Sequence, residues 1–136
     1  MSLMNVFGVS HSALTAQTAR LNVTAENLVN AEVASGDPET AFKGQYPVFK
    51  SVLNQESNAV GMSVKFDGTV EDNRPARSSY EPGNPLADED GFVYMSNVNT
   101  VQEMANMMQA SRSYQTNVEM MNTTKQMLMR TLTIGQ

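Results

Sequence analysis

The residues of this chain that could do chemistry are few: one histidine, His11, and an acidic run at Asp88, Glu89 and Asp90. A catalytic or metal-binding imidazole needs a second ligand or an acid partner. His11 instead lies on a helical seam with Phe7 and Leu14, the chain has no cysteine and no acid stands nearby, so it reads as a packed or interface side chain. Asp88, Asp90 and Gly91 match a fragment of a calcium loop. Such a loop also needs further spaced oxygen ligands and a late bidentate Glu, whereas Phe92, Val93, Tyr94 and Met95 follow here, so the stretch reads as a solvated turn. Glu71 beside Asp72 is a carboxylate pair without a pocket-forming scaffold. No Gly-rich phosphate loop, nucleophile elbow or zincin motif occurs. The expectation is no catalytic, cofactor-binding or metal site, no cofactor, no small-molecule substrate and no enzyme.

What remains informative is where charge is missing. Residues 1–31 carry only Arg20 and Glu26, and residues 98–136 carry only Glu103, Arg112, Glu119, Lys125 and Arg130. The 66 residues between them hold the other sixteen charges, eleven of them acidic. A solitary helix in water keeps a charged outer face, so long helices decorated with Asn, Gln, Ser and Thr point to burial against other chains. The net charge of −5 and the scattering of the nine Lys and Arg exclude nucleic acid as an expected partner. Without cysteine there is neither a disulfide framework nor a thiolate site. No signal peptide and no membrane span is apparent in the sequence.

The elements follow from periodicity. Phe7, Leu14, Leu21 and Leu28 recur at seven-residue intervals, with Met4, His11, Thr18 and Ala25 as the smaller row of the same seam. In the last segment a seam runs through Met104, Met107, Ser111, Tyr114, Val118, Met121, Lys125, Leu128 and Leu132. These seams predict one helix from about Leu3 to Ala31 and another from about residue 100 to 132, each a rod of roughly 40–50 Å whose natural partner is the other, antiparallel. Asn97 or Asn99 offers the N-cap of the second helix, with Glu103 near the positive end of its dipole. Seven of the eleven methionines fall in this last helix and spread over several faces, which suits packing against more than one neighbour. In the free protein both ends are expected to be partly disordered until neighbours arrive.

Between the helices the period falls to two. Tyr46, Val48 and Val52 form one run, Met62, Val64 and Phe66 a second, and Phe92 to Met95 a third. Pro47 marks an edge strand, and Asp67-Gly68 reads as a tight turn. Tyr80, Glu81, Pro82, Gly83, Asn84, Pro85 and Leu86 begin an extended, turn-rich segment reaching Gly91, expected to be a contact element. The fold class is therefore mainly α, with paired long, coiled-coil-like N- and C-terminal helices and a small irregular β insert. Its segments are residues 1–31, 32–97 and 98–136.

Two stretches carry a family resemblance. Ala25-Glu26-Asn27-Leu28-Val29-Asn30-Ala31 resembles the N-terminal signature of bacterial flagellar axial proteins. Tyr80 to Gly91, then Phe92 to Asn99, then Ala110-Ser111-Arg112-Ser113-Tyr114-Gln115, is similar to the proximal rod FlgC family of basal-body rod proteins. Ala34-Ser35-Gly36 replaces the usual Thr-x-Gly-Tyr ending of the first signature, and Ser96 stands where proline is common. The resemblance implies a non-enzymatic rod subunit, exported unprocessed by the flagellar type III apparatus into the rod that crosses the periplasm. Its implied partners are copies of itself, other rod proteins and the membrane-ring junction of the basal body. A soluble coiled-coil adaptor is the alternative reading of the same seams.

Overall fold

The computed structural model describes residues 3–54 and 61–134. Helix α1 runs from Leu3 to Asn30 and helix α2 from Thr100 to Ile134, 28 and 35 residues. At 1.5 Å per residue they are rods of about 42 and 52 Å, as the heptads require. Between them come β1 (Ala34–Ser35), β2 (Gln45–Asn54), β3 (Gly61–Glu71), β4 (Arg77–Tyr80) and β5 (Phe92–Met95). No described helix is long and apolar enough to cross a membrane.

The strands form two sheets. One has the order β1-β5-β4, with Ser35 opposite Tyr94 and Tyr80 opposite Phe92, all antiparallel. Its middle strand is the most β-prone run of the chain, and Val93 at its centre is fully buried. The other sheet pairs β2 with β3 alone, so Pro47 does lie on an edge strand. The Asp67-Gly68 turn does not form. Gly68 adopts a positive φ of 115°, yet β3 continues through it to Glu71, so the glycine permits an irregularity within a strand and leaves its direction unchanged.

The chain folds into two compact units, and each takes a stretch of both helices. Unit 1 comprises residues 1–21, 48–68 and 108–136; unit 2 comprises residues 22–47 and 69–107. In unit 2 the start of α2 meets the end of α1, since Asn27 bonds Glu103; in unit 1 Gln17 shares a shallow cleft with Gln109, Arg112, Ser113, Thr116 and Asn117. The terminal helices thus pack together antiparallel. The buried side chains on the two helices are mostly small or polar: Ser10, Ala16, Ala110 and Thr124 in unit 1, and Val23, Thr24, Asn27 and Glu103 in unit 2, with Ala31 just beyond the end of α1. Small side chains let two helix backbones approach closely, which explains why the deepest row is not the large apolar one.

Candidate assembly surface

Unit 2 is fastened by two asparagines that act as strand partners. The Asn27 amide donates to the Gln45 carbonyl at 2.8 Å and accepts the Gln45 N–H at 2.8 Å, so α1 satisfies both main-chain groups at the start of β2. The same Nδ2 reaches Glu103 Oε2 at 3.3 Å, and Asn106 Nδ2 donates to the other carboxylate oxygen at 3.1 Å. Asn97 accepts the Gly44 N–H at 2.8 Å and donates to the carbonyls of Asp72 and Arg74 at 3.1 and 2.8 Å. Asn99, not Asn97, caps α2: its Oδ1 accepts the N–H groups of Val101 and Gln102 at 3.1 and 3.2 Å. The end of α1 has no basic residue in its last turn, and Arg77 takes that role from a distance by donating to the Ala31 carbonyl at 3.4 Å and the Ser96 carbonyl at 3.0 Å.

The segment after β4 is held by its own side chains. Pro82 and Pro85 preset φ and lack donors, so the turns are closed by Glu81 and Asn84. Asn84 Nδ2 donates to Glu81 Oε2 at 3.0 Å, and Leu86 N–H donates to Asn84 Oδ1 at 3.1 Å. Asp88 corrects the reading of a merely solvated turn. It accepts the N–H groups of Phe92 and Asp90 at 2.8 and 3.0 Å and the Tyr94 hydroxyl at 3.0 Å, whereas Glu89 and Asp90 are exposed. The Phe92 N–H, more than any other group, holds the Asp88 carboxyl below its usual range, and Asp88 in turn pushes the Tyr94 phenol up. Gly91 has φ +82°, and a Cβ there would sit 3.0 Å from the Tyr80 ring and 3.3 Å from Pro82, so any other residue is strained at this position. In the turn after β3, the Arg74 guanidinium and its N–H hold Asp72 down to about 2, with the Tyr46 hydroxyl contributing least. The Glu71-Asp72 pair is thus the start of a turn closed by Arg74.

The helices present their larger apolar side chains outward or sideways. Phe7, Leu14, Leu21 and Leu28 are half-buried, as are Met107, Val118, Met121 and Leu128, while Met104, Tyr114 and Leu132 are exposed. His11 and Thr18, expected in the small row, are exposed, because the buried row is displaced to Ser10, Thr24 and Ala31. Val29, Val101, Met108, Met120, Met127 and Met129 are exposed by half or more. The polar groups between them are largely self-satisfied: Thr116, Thr123, Thr131 and Thr133 each donate to the carbonyl four residues earlier. A hydroxyl already bonded to its own helix can be covered by another protein without losing a partner. Among the described residues no group of three or more His, Asp or Glu could hold a metal.

Comparison with known proteins fits this geometry. Residues 89–134, from the acidic turn through α2, match the family described as flagellar basal body rod FlgEFG protein C-terminal. Over all 136 residues the chain is 48% identical to the flagellar basal-body rod protein FlgC of Escherichia coli O157:H7, with the whole of both chains covered. The chain belongs to the FlgC family of flagellar basal-body rod proteins. The Salmonella typhimurium LT2 member is 47% identical over 136 residues and a Buchnera aphidicola member 40% over 138, again with both chains wholly covered. This rod subunit is a structural protein of the flagellar basal body, not an enzyme, and it assembles with rod proteins. Of the residues that shape it, sequence reasoning reached the two helices and, as one of two candidates, the Asn99 cap. It missed Asn27, Asn97, Arg77 and Asp88 as fasteners; the only signal for Asn27 was its place in the axial-protein signature.

Proposed function

We propose that this rod subunit polymerises with copies of itself and with other rod proteins through the outward apolar rows of its terminal helices. The seam residues Phe7, Leu14, Leu21, Leu28, Met104, Met107, Tyr114, Val118, Met121, Leu128 and Leu132 carry those contacts, and Tyr80 to Leu86 forms a second contact segment. The observation that supports the reading best is the run of exposed methionines and valines on helices whose hydroxyls are already bonded internally. A monomer gains nothing from such faces in water, whereas a helical neighbour would bury them at about 25 cal/mol per Å².

On this reading the segments 1–31 and 98–136 build the polymer and 32–97 fixes their geometry. Its route is flagellar type III export, and its place is the part of the rod that crosses the periplasm, next to the membrane-ring junction. The test is to supply a tagged chain to cells lacking their own copy and to image isolated basal bodies. Tag in the rod together with restored swimming is expected; swimming with the tag absent from the rod would overturn the reading.

A further inference from the structure

On α2 the side chains of Met104, Met108, Met120, Met127 and Met129 are 51–60% exposed. The chain has no cysteine, so its thioethers are the side chains that a two-electron oxidant meets first. Oxidation turns an apolar sulfur into a polar sulfoxide, and the consequence depends on the donors around each one. Met120 and Met127 stand on a row with Thr116, Thr123 and Thr131, whose spacing by three or four residues keeps all of them on one face of the helix. The whole row is exposed and carries no charge. Thr116 donates its hydroxyl to the Arg112 carbonyl at 3.0 Å, Thr123 to the Glu119 carbonyl at 2.9 Å and Thr131 to the Met127 carbonyl, while Thr124 beside the row donates to Met120 at 2.8 Å. No hydroxyl proton is left on this row for a new acceptor.

Met129 is the contrast. At 60% exposure it is as open to an oxidant, yet it lines a shallow cleft with Asn122, Lys125, Gln126 and Arg130, whose amides, ammonium and guanidinium are donors for a sulfoxide. We propose that Met120 and Met127 are modification sites of the free subunit, at which oxidation by a peroxide withdraws the chain from assembly. A thioether lone pair attacks one oxygen of hydrogen peroxide and the O–O bond breaks. The proton of the transferred oxygen passes to the departing one, which leaves as water, so sulfur loses two electrons and the peroxide gains them. When a neighbouring helix then covers the row, each sulfoxide oxygen is shut away from water with no donor on its own row, whereas a thioether needs none. Methionine sulfoxide reductases reverse the step. The proposal rests on the rod-subunit reading and names the residues through which that assembly is open to oxidation.

The test uses tagged full-length chains in cells lacking their own copy, with incorporation quantified in isolated basal bodies. Met120→Gln with Met127→Gln imitates the two sulfoxides and should incorporate about tenfold less than wild type, whereas Met129→Gln should stay within about twofold. Met120→Leu with Met127→Leu keeps the row apolar, cannot be oxidised and should also stay within about twofold. Wild type and the Leu pair, carrying different tags, are then expressed together with hydrogen peroxide in the medium. The ratio in the rods should move toward the Leu pair by at least about threefold, and peptide mass mapping of unincorporated wild-type chain should find sulfoxide at Met120 and Met127. Wild-type incorporation by the Gln pair overturns the proposal. So does an unchanged ratio while both residues are oxidised, or oxidation of Met129 that leaves Met120 and Met127 intact. Met120→Leu alone replaces the Leu pair if the pair's circular dichroism is altered. A tagged wild-type chain absent from the rod without peroxide contradicts the rod-subunit reading itself, an outcome distinct from failure of the oxidation test.

Discussion

Asn27 and Glu103 are 76 residues apart in sequence and share a buried hydrogen bond of 3.3 Å, which fixes the end of α1 against the start of α2. Because the same Asn27 amide also pairs with both main-chain groups of Gln45, one side chain ties both helices to the start of β2. A buried polar network of this kind specifies one arrangement only while every member is satisfied.

Replacing Asn27 should therefore cost more than lost packing. Asn27→Ala leaves the Gln45 groups unpaired and should lower stability by about 2–3 kcal/mol. Asn27→Asp should be worse at neutral pH, since it keeps an acceptor for the Gln45 N–H but sets a carboxylate beside Glu103. Urea unfolding of the full chain ranks the two; an Asp variant as stable as wild type would show that the Glu103 contact does not form.

Asn97 and Asn99 separate a long-range fastener from a helix cap. Asn99→Ala removes a local cap and should cost about 1 kcal/mol. Asn97→Ala should cost about twice that, because three backbone groups of the Gly44 and Asp72–Arg74 turns lose their partner. Thermal unfolding of both variants supplies the comparison, and equal losses would mean that Asn97 is replaceable by water.

Acid should loosen the turn at Asp72 before it unfolds the protein. The carboxyl is held down to about 2 by Arg74, below its ordinary 3.8, so the folded state binds its proton less readily than the unfolded chain does. The resulting stability is fully present above about pH 4 and is lost as pH falls from there through about 2. Asp72→Asn should flatten the stability profile in that window and leave it unchanged near neutrality apart from a constant offset. An unaltered slope would place the titration elsewhere.

Gly91 and Asp88 give the segment between β4 and β5 its shape, and the two should fail differently. Gly91→Ala forces a side chain into a positive φ and against the Tyr80 ring, a loss of about 1–3 kcal/mol expected from strain. Asp88→Ala removes the acceptor for two backbone donors and the Tyr94 hydroxyl, whereas Glu89→Ala, exposed, should be within about 0.5 kcal/mol of wild type. Paired melting curves check the ranking, and equal effects of Asp88 and Glu89 would return the acids to a purely solvated role.

Both helices were legible in the sequence to within about two residues because a seven-residue repeat persists over a length that no strand reaches. The Asn99 cap was legible for a related reason, being a local contact. The partners of Asn27, Asn97 and Arg77 were not, since they lie 18 to 76 residues away and a distant backbone group leaves no periodic trace. Periodicity also misjudged which row goes inside. It weights volume, so Phe7, Leu14 and Leu21 stood out, while Ser10, Thr24, Ala110 and Thr124 are buried, because small side chains let two helices approach closely. The larger residues, half-buried or exposed, are left facing outward, which is what a subunit of a polymer needs.

The same distribution of burial predicts how the free subunit behaves. In unit 2 the helix ends are tied to a sheet by Asn27, Asn97 and Arg77 and share a core with Val93, Ala41 and Val98. Among the described residues of unit 1 the buried helical side chains are Ser10, Ala16, Ala110 and Thr124, and removing such small groups from water contributes little to stability. Amide exchange on dilute monomer should therefore show protection concentrated in residues 22–30 and 100–107, with residues 5–21 and 108–133 exchanging at least about tenfold faster, as expected for sub-global opening. On incorporation into the rod the fast segments should become protected, because neighbours then cover Met108, Met120 and Met127. Uniform protection along both helices in the monomer would mean that the helix pair is stable alone, and assembly would then be docking of preformed rods without the coupled ordering expected here.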